Sequence, residues 1–126
     1  NLRLNPEDTV DGAIEYIRNT IGDGEIKLTN LDSMEPSPIS RTDCPGWEKV
    51  SAAVSGTWPG SLVAPYLMVQ CSDSRHYGPI SDKVYRFSAM ALTAEERRLI
   101  HGNNERITLE AIGKAVEFFM RVMKQC

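Results

Sequence analysis

Basic residues are not in excess in this sequence, and long apolar runs are missing. The 126 residues carry a formal net charge of −3, whereas a nucleic-acid surface requires clustered lysine and arginine. The longest apolar run, residues 62–69, is interrupted by Pro65 and falls far short of the roughly 20 residues that a membrane-spanning helix needs. The first residues lack the basic head and apolar segment of a signal peptide. We therefore expect no nucleic-acid partner and no membrane span.

Cysteine is scarce, and its spacing favours no disulfide framework. The three cysteines, Cys44, Cys71 and Cys126, are an odd number without a CxxC pair, which argues against a set of paired disulfides and against a cysteine-based zinc finger. Free thiols are typical of a reducing compartment. We therefore expect free cysteines and a cytoplasmic location.

Complete catalytic motifs are also missing. The sequence contains no HExxH helix, no GxSxG nucleophile elbow and no Walker loop. A single loop histidine and scattered acids do not form a zinc site, which needs three or four converging ligands. A small hydrolase that pairs Cys71 with His101 is conceivable, although nothing in their spacing favours it. The residues alone therefore complete no catalytic unit.

The sequence does contain alternating strand-like and helix-like segments. Strands are predicted where residues alternate between polar and apolar or form a short apolar run, at residues 1–4, 25–29, 64–69 and 84–87. Helices are predicted where apolar residues recur at three- and four-residue spacing, in segments that begin near Val10, Trp47, Thr93 and Thr108. The last helix carries a long apolar stripe formed by Ile107, Ile112, Ala115, Val116, Phe119, Val122 and Met123. We predict an α/β fold, in the form of an α+β fragment.

A proline-rich stretch divides the chain. Residues 32–45 contain Pro36, Pro38 and Pro45 among serine, threonine and aspartate, a composition typical of a linker or a crossing loop. We therefore predict a first domain segment at residues 1–31, a linker at residues 32–45 and a second domain segment at residues 46–126. The abrupt strand at residue 1 indicates that the chain begins inside a larger fold.

Polar side chains cluster at the ends of predicted elements between residues 71 and 105. Asp73, Ser74 and Arg75 lie in a turn after the third predicted strand, and His101 lies in a polar loop before the last helix. Such clusters are the usual layout of a site held on a rigid scaffold. Arg75 either pairs locally with Asp73 or uses its planar guanidinium to bind a carboxylate. His101 is either a structural or solvent-exposed imidazole or a ligand or catalyst.

The order of these motifs resembles the C-terminal part of the two-zinc metallopeptidase family of aminoacylase, acetylornithine deacetylase, succinyl-diaminopimelate desuccinylase and the carboxypeptidases of the G and S types. Members carry a Thr-Asp-Ser-Arg-type turn, a strand with aromatic residues and a His-x-x-Asn-Glu-like loop before the last helix. The corresponding segments here are Ser72-Asp73-Ser74-Arg75, Val84-Tyr85-Arg86-Phe87 and His101-Gly102-Asn103-Asn104-Glu105. Their residues are most similar to the motifs of the carboxypeptidase S-like branch. The glycines that precede the turn in the family are Gln70 and Cys71 here.

The resemblance implies a role for each of five residues. His101 corresponds to the C-terminal histidine that binds one zinc ion in the family. Arg75, with Asp73 and Ser74, corresponds to the turn that borders the substrate pocket and helps to hold the substrate carboxylate. Asn1 corresponds to a lid-strand asparagine that reaches the substrate in some members.

The resemblance also implies an architecture and partners. Residues 1–31 resemble the end of the family's lid domain, which mediates dimerisation in many members, and residues 46–126 resemble the C-terminal part of the catalytic domain. The implied cofactors are two zinc ions, and the implied substrate is a peptide or an N-acyl amino acid. We expect a homodimer.

Several functional parts of the family lie outside the resemblance. The His-x-Asp ligand pair, the bridging aspartate and the Glu-Glu pair belong to the N-terminal part of the catalytic domain. We therefore expect a C-terminal fragment that is inactive alone, binds zinc weakly and needs the missing N-terminal half as a partner. The alternative is a non-catalytic remnant that associates with itself or with a partner, because a severed lid segment leaves strand edges and an apolar helix face without cover.

Overall fold

The computed structural model describes residues 1–68, 70 and 72–126, which form two compact units. The first unit comprises residues 1–40 and 68–84, and the second comprises residues 41–67 and 85–126. The predicted domain segments at residues 1–31, 32–45 and 46–126 follow from the proline-rich composition of the middle segment rather than from contacts within the chain, and they stay a prediction.

The first unit contains helix α1, Val10–Ile21, which begins and ends as the sequence predicts. The side chain of Thr9 accepts a hydrogen bond from the backbone N–H of Gly12, and Gly22 ends the helix in the left-handed conformation with φ of 65°. Glycine suits that position because it has no Cβ atom. The free N–H of Val10 donates to the Glu35 carboxylate, at 3.2 and 3.4 Å from its two oxygens, so an acid lies at the positive end of the helix.

Residues of the predicted linker make specific contacts within the first unit. The hydroxyl of Ser40 donates to the carbonyl of Val84 at 2.9 Å and accepts from the Val84 N–H at 3.1 Å. Pro38 lies so close to Gly78 that a Cβ atom on this glycine would be 3.1 Å from the proline ring. A serine side chain thus satisfies both backbone groups of Val84.

The second unit is built on helices α2, Pro45–Thr57, and α4, Leu109–Met123, which pack against each other. Between them in the sequence lies the single-turn helix α3, Ala94–Arg97. The buried residues of the core are Ala53, Val54, Ala89 and Phe118. The ring of Phe118 lies 4.9 Å from that of Phe87 and 6.0 Å from that of Trp58, so aromatic contacts hold the two long helices together.

The start of every α-helix follows the capping signals in the sequence. Pro45 occupies the first turn of α2, where its missing N–H costs nothing. Thr93 and Glu96 form a reciprocal capping box at α3, and the Thr108 hydroxyl accepts from the N–H of Ala111 at the start of α4. The predicted helix starts at Thr93 and Thr108 are confirmed, whereas Pro45, assigned to the linker from the sequence, is the first residue of α2.

The predicted strands are not formed in the described part of the chain. Residues 1–4, 25–29, 64–68 and 84–87 have no regular secondary structure, so the predicted α/β class is confirmed only in its helices. A strand needs a neighbour that satisfies its backbone N–H and C=O groups, and these segments do not pair with one another. Tyr66, predicted to lie in a buried strand, is 91% exposed.

The predicted apolar stripe of α4 is correct as a helix signal but wrong in part as a core. Phe118, which is only 3% exposed, lies outside that stripe, whereas Phe119 is 52% exposed. The helix is apolar on two faces, and the sequence alone does not say which of them packs on α2. No helix in the described residues is long and apolar enough to cross a membrane.

Candidate functional site

The three residues of the predicted carboxylate site lie together on a single 3₁₀ turn, Asp73–Tyr77, in the first unit. Ser72 precedes the turn with an extended backbone, and its carbonyl accepts a hydrogen bond from the N–H of Arg75 at 3.2 Å. Asp73 and Arg75 are exposed, and Ser74 is half-buried. The turn therefore presents an acid and a guanidinium to solvent.

Short-range hydrogen bonds hold the side chains of this turn. The hydroxyls of Ser72 and Ser74 lie 2.5 Å apart. The Nε–H of Arg75 donates to Nε2 of the neighbouring His76 at 3.3 Å, and His76 is exposed.

Asn1 is exposed and belongs to the same unit as the turn. Its assignment to the substrate site rests on the resemblance and stays a prediction. Cys71, which immediately precedes Ser72, lies outside the described residues, and so does any pairing of Cys71 with His101. The two described cysteines, Cys44 and Cys126, are free thiols, as the sequence predicts.

His101 lies in the second unit, between α3 and α4, and its backbone is unusual. Its φ is 61°, and within the described residues it is the one residue other than glycine with a positive φ. The left-handed region costs an L-residue with a bulky side chain roughly 1–2 kcal/mol. Helices commonly end on a left-handed residue, but that residue is usually glycine. The imidazole of His101 is exposed.

A ladder of backbone hydrogen bonds surrounds His101. The N–H of Leu99 donates to the Glu96 carbonyl at 3.0 Å, the N–H of Gly102 donates to the Leu99 carbonyl at 2.8 Å, and the N–H of Glu105 donates to the Gly102 carbonyl at 3.3 Å. A Cβ atom on Gly102 would lie 3.0 Å from the carbonyl oxygen of Leu99. A side chain at position 102 would therefore require the Leu99 carbonyl to shift by a few tenths of an ångström.

The Glu96 carboxylate, in helix α3 before His101, has a lowered pKa. A hydrogen bond from the Thr93 N–H, and a second one from its hydroxyl, hold the pKa of Glu96 below its ordinary value of 4.5, while partial burial opposes that shift and the charge of Arg106 adds a smaller lowering. A carboxyl whose pKa is lower in the folded state contributes stability that is complete above its ordinary pKa and is lost as the pH falls through the lowered value.

The described residues do not form a complete metal site. No group of three or more histidine, cysteine, aspartate or glutamate side chains in them is placed to hold a metal ion. His101 alone offers one imidazole, whereas a protein zinc site takes three or four ligands. The described residues therefore supply at most one of the ligands of such a site.

Comparison with known proteins shows that the chain is similar to parts of several hydrolases. It is 36% identical over 125 residues to an N-fatty-acyl-amino acid synthase/hydrolase of Xenopus tropicalis. It is 27% identical to a probable carboxypeptidase S-like protein of Dictyostelium discoideum and 29% identical to an N-fatty-acyl-amino acid synthase/hydrolase of Mus musculus. Each alignment covers 98% of this chain. No family model and no solved structure matches it.

Over most of its length the chain is similar to proteins of the metallopeptidase family of aminoacylase and the carboxypeptidases, in the carboxypeptidase S-like branch. The resemblance drawn from the turn and the histidine loop is thereby confirmed. The chain spans about a quarter of the length of these relatives, 24 to 25% in the three alignments above.

The sequence identified His101 but missed its left-handed backbone and the close approach at Gly102. One signal was available, because a glycine just after a short helix often marks a left-handed C-terminal cap. That signal points to Gly102 as the left-handed residue, whereas the structure gives this conformation to His101.

Replacing Gly102 with alanine should loosen the histidine loop. The new Cβ atom would press on the Leu99 carbonyl, so the hydrogen bond from residue 102 to Leu99 should weaken and its amide should exchange with deuterium faster. Gly113→Ala is the matched control, because Gly113 lies within α4 and has open space around it. This control should leave the loop unchanged and stabilise the chain by about 1 kcal/mol. Equal exchange rates at residue 102 in both variants would contradict the steric account.

Proposed function

We propose that this chain contributes a zinc ligand and a carboxylate-binding turn to a hydrolase that cleaves an amide bond beside a free carboxylate. The substrate is an N-acyl amino acid or a peptide. The observation that supports this most is the left-handed backbone of His101, found at the residue that resembles the family's zinc ligand.

The similarity to N-fatty-acyl-amino acid synthase/hydrolases supports the substrate class. An N-acyl amino acid has lost the charge of its amino group but keeps its α-carboxylate. Recognition of such a substrate therefore needs a cation that binds a planar anion. Arg75 suits this role because its guanidinium presents a rigid fork of N–H donors and is exposed.

Neighbouring residues complete the proposed substrate-binding set around Arg75. Ser74 supplies a hydroxyl that can donate to a carboxylate, and Asp73 places a negative charge two residues before the guanidinium in the same turn. Asn1 provides an amide that donates to a substrate oxygen, by analogy with the family's lid strand. The proposed substrate-binding residues are therefore Arg75, Asp73, Ser74 and Asn1.

Zinc chemistry at this site would need further ligands. Zinc activates a bound water for attack on the amide carbonyl, and His101 would hold one ion through its imidazole. We propose that the remaining ligands and the general base lie in a part of the hydrolase that these 126 residues do not represent. On this reading the 126 residues by themselves bind zinc weakly and do not hydrolyse amides.

His101 should prove essential when this chain replaces the matching quarter of the Xenopus tropicalis relative in a chimera. His101→Asn and His101→Gly should each lower kcat/KM for an N-fatty-acyl amino acid by about 100-fold. Asparagine and glycine tolerate the left-handed backbone, so the loss would report the imidazole rather than the loop. Steady-state kinetics with zinc-loaded protein provides the measurement.

Asn103→Ala is the matched control for these variants, because Asn103 is exposed in the same loop and stands at a variable position of the family motif. This control should retain most of the activity. A chimera that stays fully active with glycine at position 101 would exclude His101 as a metal ligand.

Arg75→Lys should weaken recognition of the substrate carboxylate in the same chimera. Lysine keeps the positive charge but loses the planar fork, so KM should rise about tenfold, or about 1.4 kcal/mol, while kcat changes little. The control is a substrate whose carboxylate is replaced by a neutral amide, for which the substitution should not change KM. An equal rise in KM for both substrates would contradict the carboxylate contact.

A second candidate function, self-association, is favoured by the outward face of α4. Five apolar residues, all exposed by two-fifths or more, recur along this face at alternating spacings of three and four, namely Leu109, Ile112, Val116, Phe119 and Met123. That spacing is typical of the seam between two paired helices. A second copy of this chain would cover the face, and the homodimer predicted from the sequence would then form through α4.

Val116→Glu tests this candidate in the 126-residue chain. A carboxylate at the centre of an apolar helix pair is costly to bury, so a dimer should dissociate to a monomer in size-exclusion chromatography with light scattering. Lys124→Glu, which changes an exposed charge at the end of the same helix, should leave the dimer intact. A monomer at all concentrations of the unaltered chain would exclude self-association through α4.

A further inference from the structure

The backbone of His101 depends on a segment that has almost no burial to stabilise it. Helix α3 is four residues long and contains no buried residue. Isolated helices of this length are unstable in water because nucleation costs more than a few hydrogen bonds return. Something other than packing must therefore keep α3 and the residues after it in place.

The reciprocal cap of Thr93 and Glu96 provides that stabilisation. The Glu96 carboxylate accepts from the N–H and from the hydroxyl of Thr93, both at 2.8 Å, while the Thr93 hydroxyl accepts from the N–H of Glu96 at 3.2 Å. Such a box satisfies two backbone donors that the start of a helix otherwise leaves free. A charged acceptor makes these hydrogen bonds stronger than neutral ones.

The same residue connects the cap to the histidine. The carbonyl of Glu96 accepts from the N–H of Leu99 at 3.0 Å, and the carbonyl of Leu99 accepts from the N–H of Gly102 at 2.8 Å. The second of these bonds closes a turn that contains His101. One continuous series of short-range hydrogen bonds therefore runs from the side chain of Glu96 to the backbone around His101.

We propose that Thr93 and Glu96 are positioning residues, which hold His101 in its left-handed conformation through the cap of α3. His101 bears the backbone cost of this conformation, so it should leave the left-handed region once the series of hydrogen bonds is broken at its start. The direction of the imidazole changes with the backbone. The consequence for catalysis rests on the proposed function, whereas the conformational claim does not.

The test is an NMR measurement on the 126-residue chain. A residue with positive φ shows a strong intraresidue NOE between its amide and α protons, because these protons are closer together than at negative φ. In the unaltered chain His101 should show this strong NOE. Glu96→Ala should abolish it, and Glu96→Gln should retain it because glutamine also closes a capping box.

Glu95→Ala is the matched control. Glu95 is exposed in the same turn and carries the same charge, but its side chain takes no part in the capping box. This variant should keep the strong NOE at His101. A loss of the NOE in both alanine variants, or in Glu96→Gln, would mean that the charge and not the capping box holds His101, and it would overturn the proposal. A strong NOE that persists in Glu96→Ala would overturn the proposal as well.

Thr93 provides an independent pair in case Glu96→Ala disturbs the fold beyond α3. Thr93→Ala should abolish the NOE, and Thr93→Ser, which keeps the hydroxyl, should restore it. In both pairs the amide signals of α2 and α4 should stay in place, which shows that the core is intact. If Thr93→Ala keeps the NOE with an intact core, the proposal fails.

Kinetics of the chimera separate this proposal from the proposed function. Misplacing His101 should lower kcat about tenfold or more with little change in KM, in Glu96→Ala but not in Glu95→Ala. A lost NOE with unchanged hydrolysis would support the positioning of His101 by the cap and contradict the catalytic role of His101 instead.

Discussion

The packing of α2 against α4 around the ring of Phe118 is the interaction on which the second unit depends. Few residues of this unit are buried, and Phe118 is the largest of the buried hydrophobic ones. Its cluster includes two small residues, Ala53 of α2 and Ala89 of the irregular segment before α3. Polar contacts at the margin continue the same interface, since the Lys114 ammonium donates to the Thr57 carbonyl at 3.3 Å. Most of the free energy of this unit therefore comes from one cluster.

The position of this cluster explains how the histidine loop is held at its two ends. Downstream of His101, α4 is fixed by burial of Phe118, and Thr108 begins that helix. Upstream, α3 has no buried residue and relies on hydrogen bonds within a few residues. The two ends of the loop differ in their resistance to local opening, because burial resists it more than exposed hydrogen bonds do. The loop is therefore sensitive to changes in α3 that leave the core untouched.

Helix boundaries were predictable because their signals are local. Thr9, Thr93 and Thr108 each cap the helix that follows, and Gly22 ends α1, so a few neighbouring residues suffice to identify each end. The family was predictable from the turn at Arg75 and the loop at His101 for the same reason.

Strands and burial were not predictable in this way, because both depend on distant parts of a fold. An alternating segment becomes a strand only beside a partner, and the described residues do not pair the predicted ones. The choice between Phe118 and Phe119 likewise depends on where α2 lies. The domain boundaries, the cytoplasmic location and the homodimer stay predictions, since no contact in the structure bears on them. The same holds for the functional roles of Asn1, Asp73, Ser74, Arg75 and His101.

The two candidate functions account for different observations, and this difference favours the hydrolase. Self-association explains the apolar outward face of α4 but gives no reason for a left-handed histidine. Glycine at position 101 would remove the backbone cost that the histidine bears. The next residue, Gly102, is a glycine, whereas the left-handed position 101 carries histidine. We propose that a role for the imidazole itself, as a ligand held in one direction, accounts for a histidine at this position. The outward face of α4 is compatible with that role, because the relatives are about four times as long as this chain and offer further structure to cover it.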